Sequence, residues 1–449
     1  MWEPLSLLVL LLLSPSVIPA SAAENSTGKL LYILLDGFRY DYLDDIAPEE
    51  LPGFNYFLSN GVRARWVNPL YPTLSFPTWT TLSTGLYAES HNIVGNYFYD
   101  TKDEDYFAIF DSDANGKKKW WTAEPIWATA KKAGLRTALF LWSRCDVKFD
   151  GEVPDFCLKF EKIPGPEIFR ENIDKALDKF DEGFDFVQVY TEHLDGTGHM
   201  MGPESEERKQ ATKDIDRILV HLQKQLIERG LAGEVNIVIV SDHGMTSMVE
   251  KDVTYIQLDD YLPEEANIES IADRGAYVNI KVKQPEDVDK VYASLSTMKG
   301  VSVYKKAEIP EEWHLKNSKY IHDILLLADI NYYINSSVRE AQIPAKTNNT
   351  PVFKGAHGYS PKEMKMKSIF FAKGPAFKTN TVLEPIDIVD IYGVLTKTLN
   401  IEGLPYNGTF ENVRGAFVDA SAGQLATGVT LPLLLLMLMT SCNNFFDGF

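Results

Sequence analysis

Four predominantly apolar runs recur along the chain. Lys29–Leu35 (KLLYILL) ends in Asp36-Gly37-Phe38-Arg39, and Leu135–Trp142 (LRTALFLW) is a second run. Phe184–Tyr190 (FDFVQVY) leads into Glu192-His193-Leu194-Asp195, and Ile237–Val240 stops at Ser241-Asp242-His243-Gly244. Short runs without an alternating polar face fit strands covered on both sides, as in a parallel sheet. Between the third and fourth, Ile215, Ile218, Leu219, Leu222 and Leu226 recur with a helical period over Glu204–Gly230, and Gly230 supplies a stop. The alternation predicts an α/β fold, a mostly parallel sheet flanked by helices. In such sheets chemistry gathers at the carboxyl ends of the strands. Here those ends are the Asp- and His-bearing tips.

The rhythm breaks after the fourth run. From about residue 250 to residue 352, short strand-like runs (Ala276–Val282, Val301–Tyr304) and polar loops read as an insertion or cap on the sheet. His314 and His322 fall there without an assignable role, and His221 within the long helix reads as structural. Ser368–Ala372 (SIFFA) resumes the core pattern, and Ile386–Leu399 reads as a closing helix. Earlier, Pro72 and Pro77 bracket Thr73-Leu74-Ser75-Phe76. A helix over Thr78–Thr84, with Pro77 near its first position, puts Ser75 at its N-terminus. The dipole and free N–H groups there favour a phosphate or an alkoxide. Read alone, Ser75 is a capping residue. Asn96 follows in a turn-prone Gly95-Asn96-Tyr97 stretch.

Composition narrows the function. The 449 residues suit one elaborated domain, with 45% hydrophobic and 24% charged residues. Net charge is −19, from 44 basic against 63 acidic residues, so the surface repels DNA and RNA and no nucleic-acid partner is expected. A small anionic substrate still binds where a metal supplies local positive charge.

Both termini carry address signals. Leu7–Leu13, followed by Ala20-Ser21-Ala22, reads as a signal peptide over residues 1–23, although its start lacks Lys and Arg. Sequons at Asn25, Asn335, Asn348 and Asn407 agree with an exported glycoprotein. After Asn412, residues 413–449 pass through Ala420-Ser421-Ala422-Gly423 to an apolar run from Val429 to Met439. That pattern suits exchange for a glycolipid (GPI) anchor at the cell surface, although the tail ends in the polar-containing Ser441–Phe449. A plainly secreted end is the other reading, and the run is too short to span a bilayer. Of the three cysteines, Cys442 would leave with the tail, so Cys145 and Cys157 would remain to pair and clip a loop.

Asp36, Asp195, His199, Asp242, His243 and His357 (the last in Lys354-Gly355-Ala356-His357-Gly358), with the Ser75 hydroxyl, form a donor set that divides into two sites. Asp195 and His199 are four apart, with glycines that let the backbone fold tightly. Asp and neutral His suit Zn²⁺. Paired metals clamp the attacking and leaving oxygens of an in-line phosphoryl displacement and activate a hydroxyl nucleophile.

The stretches LLDGFR, FPxxxTLxTG, GNYFYD, DGTGHMMGP, SDHGM and GAHGY occur in this order from Lys29 to Asn412. Together they resemble the ecto-nucleotide pyrophosphatase/phosphodiesterase family of the alkaline phosphatase superfamily. The resemblance implies an alkaline-phosphatase-like catalytic domain over residues 24–412 holding two Zn²⁺. Asp195, His199 and His357 would hold one, and Asp36, Ser75, Asp242 and His243 the other. Ser75 would be the nucleophile, and Asn96 would stabilise phosphate oxygens. Ser75 replaces the usual Thr of nucleotide-cleaving members, and Thr78 a common Asn. The serine, the spaced cysteines and the anchor-like tail most resemble the choline-specific branch, which releases phosphocholine from glycerophosphocholine and lysophosphatidylcholine. Aromatic faces at Phe76, Trp142, Phe160 and Tyr190 would receive the quaternary ammonium, with strand-end packing or base stacking as their other readings. A nucleotide phosphodiesterase on the same metals is the alternative, and a non-catalytic surface glycoprotein a more distant one. No Cys-x-Pro-x-Arg supports a sulfatase, and no Arg beside Ser75 supports a phosphomonoesterase.

Overall fold

The computed structural model describes residues 28–160, 164–249, 253–336, 341–343 and 353–418. The predicted signal peptide, almost all of the anchor-like tail, Asn25 and Asn348 lie outside these residues.

The strand Lys29–Leu35 runs through the middle of an eight-stranded sheet. Its odd- and even-numbered side chains enter different cores. Leu31, Ile33 and Leu35 pack with Phe54, Ile173, Ile215, Leu219 and Leu222, residues of the helices Pro52–Asn60, Pro166–Asp181 and Glu206–Glu228. Leu30, Tyr32 and Leu34 pack with Leu82, Trp127, Ile391 and Leu395, residues of the helices Ser75–Thr84, Ile126–Lys132 and Ile391–Leu399. Helices on both faces explain why the run has no polar side. The sheet order is Thr381–Leu383, Val62–Ala64, Phe370–Lys373, Val235–Val240, Lys29–Leu35, Phe186–Thr191, Thr137–Phe140, Phe156–Leu158. All neighbours are parallel except Phe370–Lys373, which is antiparallel to both of its partners. The fold is therefore mixed α/β with a mostly parallel sheet.

A second, five-stranded sheet has the order Val301–Lys305, Ile324–Ala328, Tyr277–Val282, Ile268–Ala272, Gln342–Ile343. It builds a separate core from Val278, Ile280, Leu295, Ile324 and Leu326. The tip of its Ile268–Ala272/Tyr277–Val282 hairpin reaches back to Asn96.

Three local expectations need correction. The helix after Pro72 begins at Ser75, with Pro77 in its first turn and no backbone N–H to lose there. Asp195 and His199 lie on a helix, His193–Met201, so helical spacing and not a tight turn puts both on one face. The closing helix is Ile391–Leu399, because Ile386–Asp387 pairs as a short strand with Val67–Asn68.

Candidate active site

Three neighbouring strands end together. Asp36 follows Lys29–Leu35, Asp242 and His243 follow Val235–Val240, and Phe186–Thr191 leads into the helix with Asp195 and His199. Backbone and side-chain bonds stitch the first two tips: Gly37 N–H donates to Asp242 Oδ1 (3.0 Å), and Phe38 N–H to Ser241 Oγ (2.8 Å). Arg39 Nη1 donates to the Met245 carbonyl (3.0 Å). Gly37 has φ +67°, and a Cβ there would lie 2.7 Å from Asp195 Oδ1. Glycine is thus required both by conformation and by the approach of Asp195.

The three imidazoles are oriented alike. The Nδ1 atoms of His199, His243 and His357 sit against the carbonyls of Gly355 (2.8 Å), Gly244 (3.0 Å) and Thr73 (3.0 Å). Each Nδ1 carries the proton, leaving Nε2 bare and turned inward. His199 Nε2 and His357 Nε2 are 3.1 Å apart, and Asp195 Oδ2 is 3.3 Å from His199 Nε2. His243 Nε2 lies 3.3 Å from Asp242 Oδ2 and 3.6 Å from Asp36 Oδ1. Ligand atoms of Asp195, His243 and His357 lie within 4.8 Å of one another, as do those of Asp36, Asp242 and His243.

Ser75 Oγ enters this cluster 3.4 Å from His243 Nε2, on the first residue of its helix. The helix has no side-chain cap of its own, and Asn96 supplies one from outside: its Oδ1 accepts from Phe76 N–H (3.0 Å). The Asn96 amine is left to donate toward whatever lies at Ser75.

Electrostatically the cluster is unfinished. Asp36 is 2% exposed, and Asp242 and His243 are 0% exposed. Burial, then the facing carboxylates of Asp242 and Asp195, push Asp36 far above the usual carboxylate range. Burial and Asp242 do the same to Asp195. Burial holds His243 down at about 3, and burial with His243 and His199 depresses His357. Asp36 Oδ1 and Asp195 Oδ1 are buried without any hydrogen-bond partner. Uncompensated buried carboxylates beside bare imidazole nitrogens are the donor chemistry of divalent-cation sites, and the residues fit zinc in particular.

The predicted aromatic residues divide. The Tyr190 hydroxyl donates to Asp36 Oδ2 (2.5 Å), and its ring meets Phe160 edge-on at 6.1 Å. Phe76 is buried among Trp79, Phe107 and Trp121. Trp142 is in the core: it packs on Tyr32 (5.0 Å), donates to Ser83 Oγ (3.1 Å) and turns no open face to a ligand. Strand-end tryptophans read alike in sequence whether they pack or bind. Two residues that the sequence did not single out join the site. Trp79 Nε1 donates to Asp242 Oδ2 (2.7 Å) and its ring meets Tyr190 at 5.1 Å. Glu192 is the other, and burial followed by Asp195 and Asp242 pushes it up to about 8. Helical spacing from Ser75 could have found Trp79, which lies one turn on.

Cys145 and Cys157 form a disulfide. Asn407 is exposed and Asn335 half-buried. His221 bonds Asp174 (2.6 Å), a structural role.

The mostly parallel α/β sheet gathers two overlapping groups of candidate metal donors at its strand tips. A family profile, "Type I phosphodiesterase / nucleotide pyrophosphatase", matches residues 30–360, and the chain belongs to this family. It is 30% identical to mouse ectonucleotide pyrophosphatase/phosphodiesterase family member 7, covering 96% of this chain and 98% of that one. It is 32% identical to human family member 5, over 86% of this chain and 77% of that one. An inactive variant of murine ectonucleotide pyrophosphatase/phosphodiesterase 5 in complex with AMP superposes with a TM-score of 0.78 at 32% identity, over 87% of this chain and all of that one.

Proposed function

We propose that this phosphodiesterase is an extracellular, two-zinc enzyme that releases phosphocholine from choline phosphodiesters through a phospho-serine intermediate. The observation that carries the reading is Ser75 Oγ, 3.4 Å from His243 Nε2 at the edge of the buried donor cluster. Asp36, Asp242, His243 and Ser75 would hold one zinc, and Asp195, His199 and His357 the other. When bound, the metals supply Lewis acidity to the attacking and leaving oxygens. Ser75 attacks phosphorus in line and becomes phosphorylated as the alcohol departs. The Asn96 amine donates to a non-bridging phosphate oxygen. Water then attacks this phosphorus, one of its protons passes to Oγ, and phosphocholine leaves with the Ser75 hydroxyl regenerated.

Choline specificity is supported by the arrangement of Trp79, Tyr190 and Phe160. Trp79 and Phe160 each meet Tyr190 edge-to-face, at 68° and 64°. The rings of Trp79 and Phe160 keep exposed area, and two aromatic rings set at steep angles to Tyr190 suit a compact cation. A nucleobase prefers parallel walls. Trp142 has no part in this reading. Nucleotide cleavage is the second reading, favoured by the AMP bound to the murine relative. Extracellular placement is supported by the disulfide and by the signal-like start, and a glycolipid anchor by the tail.

The test is zinc-loaded secreted protein assayed against glycerophosphocholine, lysophosphatidylcholine and a nucleotide diester. Phosphocholine release with negligible nucleotide cleavage is expected, and Ser75→Ala should abolish it while the thermal melt is retained. Preferred nucleotide cleavage would move the substrate to the second reading. A folded Ser75→Ala with wild-type turnover would remove the serine from the mechanism.

A further inference from the structure

A buried charge on the five-stranded sheet reaches the active site. Asp273 is 5% exposed, at the tip of the Ile268–Ala272/Tyr277–Val282 hairpin, with φ +68°. Its Oδ2 accepts from Asn96 N–H (3.2 Å) and its Oδ1 from Arg274 N–H (3.0 Å). Its own backbone is fixed: Asp273 N–H donates to the Ile343 carbonyl (2.9 Å), and its carbonyl accepts from Gln342 Nε2 (3.0 Å). Asn96 is held at two other points, its carbonyl by Ile109 N–H (3.0 Å) and its Oδ1 by Phe76 N–H (3.0 Å). Only the Asn96 amine is left for substrate.

We propose that Asp273 is a positioning residue for catalysis: it holds Asn96, and through Asn96 the first turn of the Ser75 helix, so that the inserted sheet completes the active site. The proposal rests on the assignment of Ser75 and Asn96 to phosphodiester hydrolysis. Both Asp273 oxygens accept backbone N–H groups, so only the ionised carboxylate satisfies both. Protonation puts a donor against one of them. The groups facing Asp273 are Arg274 on its own hairpin, Tyr97 on Tyr97–Asp100, Tyr277 on the adjoining strand and Tyr333 on Tyr332–Asn335. Burial is the largest influence and pushes Asp273 up to about 7, with Arg274 and the backbone N–H groups opposing. The Asn96 link therefore loosens as pH falls through that value.

Asp273→Asn tolerates the left-handed backbone and fixes the carboxylate in a neutral, donor-bearing form. The zinc-loaded variant, with bis(4-nitrophenyl) phosphate as probe, should lose about tenfold or more in kcat at about pH 8, with KM within about twofold. Wild type should show a step near 7 in its rate profile, and the variant should lack it. In an Asn96→Ala background, Asp273→Asn should cost nothing further, because it acts through the amine already removed. In metal-free protein, hydrogen exchange at the Phe76 and Asn96 amides should speed up while the melt is retained. Wild-type kcat in Asp273→Asn, or additive losses in the double variant, overturns the inference and leaves the proposed function standing. Wild-type protein inert toward every phosphodiester overturns both.

Discussion

Asp242 accepts from Gly37 N–H, His243 N–H and Trp79 Nε1 while facing His243 Nε2. An asparagine keeps one acceptor but turns its amine against either the backbone donors or the indole. Asp242→Asn should therefore abolish hydrolysis, checked by turnover of folded protein. Trp79→Phe removes one donor to a charged group, worth roughly 1.5–3 kcal/mol. Zinc affinity, measured by competition with a chelator, should fall about 10- to 100-fold. A residue outside the site contributes to acid stability. His91 is 1% exposed, and its Nδ1 accepts from Ile93 N–H (3.1 Å) while Nε2 meets Thr81 Oγ1 (3.1 Å). Both nitrogens are satisfied only in the neutral ring, and burial lowers it to about 3. The unfolded chain takes up this proton near 6.5, so stability is full above that pH. It declines below it by up to about 1.4 kcal/mol per pH unit. Denaturation of His91→Gln between about pH 4 and 6.5 should show a shallower slope than wild type.

Among elements, the helix His193–Met201 and the short strand Gly355–Ala356 approach backbone to backbone at Gly198 and Gly355, beside the Met245 side chain. A Cβ on Gly355 would lie 2.4 Å from the Gly198 carbonyl, and His199 Nδ1 bonds the Gly355 carbonyl. Gly355→Ala should push His199 away from His357 and lower zinc affinity, read by chelator titration, with the main sheet intact by circular dichroism. The central strands and their acidic tips were legible because burial on both faces favours mostly apolar runs, and a carboxylate after such a run stands out. Ser75 stood out through its flanking prolines. Trp79, Glu192 and Asp273 did not, because their partners come from distant segments whose approach no local pattern encodes. Sequence alone left Trp142 open between packing and binding for the same reason, since Ser83 and Tyr32 are what bury it.

At the scale of the whole molecule, metal removal should be felt in stability as well as activity. The cluster holds buried carboxylates with unpartnered oxygens. A ligand that binds only the folded state stabilises it by about 2.7 kcal/mol at a hundred times its dissociation constant. Chelation should thus lower the melting temperature by roughly a few degrees, and zinc should restore it. The order of the sheet has a consequence of another kind. Lys29–Leu35 sits at its centre, yet its neighbours are Phe186–Thr191 and Val235–Val240. A ribosome working at about 5–20 residues per second needs on the order of 10–40 s to deliver them. Until Phe186–Thr191 emerges, this largely apolar strand has no native neighbour, so the yield of folded protein should fall when nothing shelters the strand during synthesis.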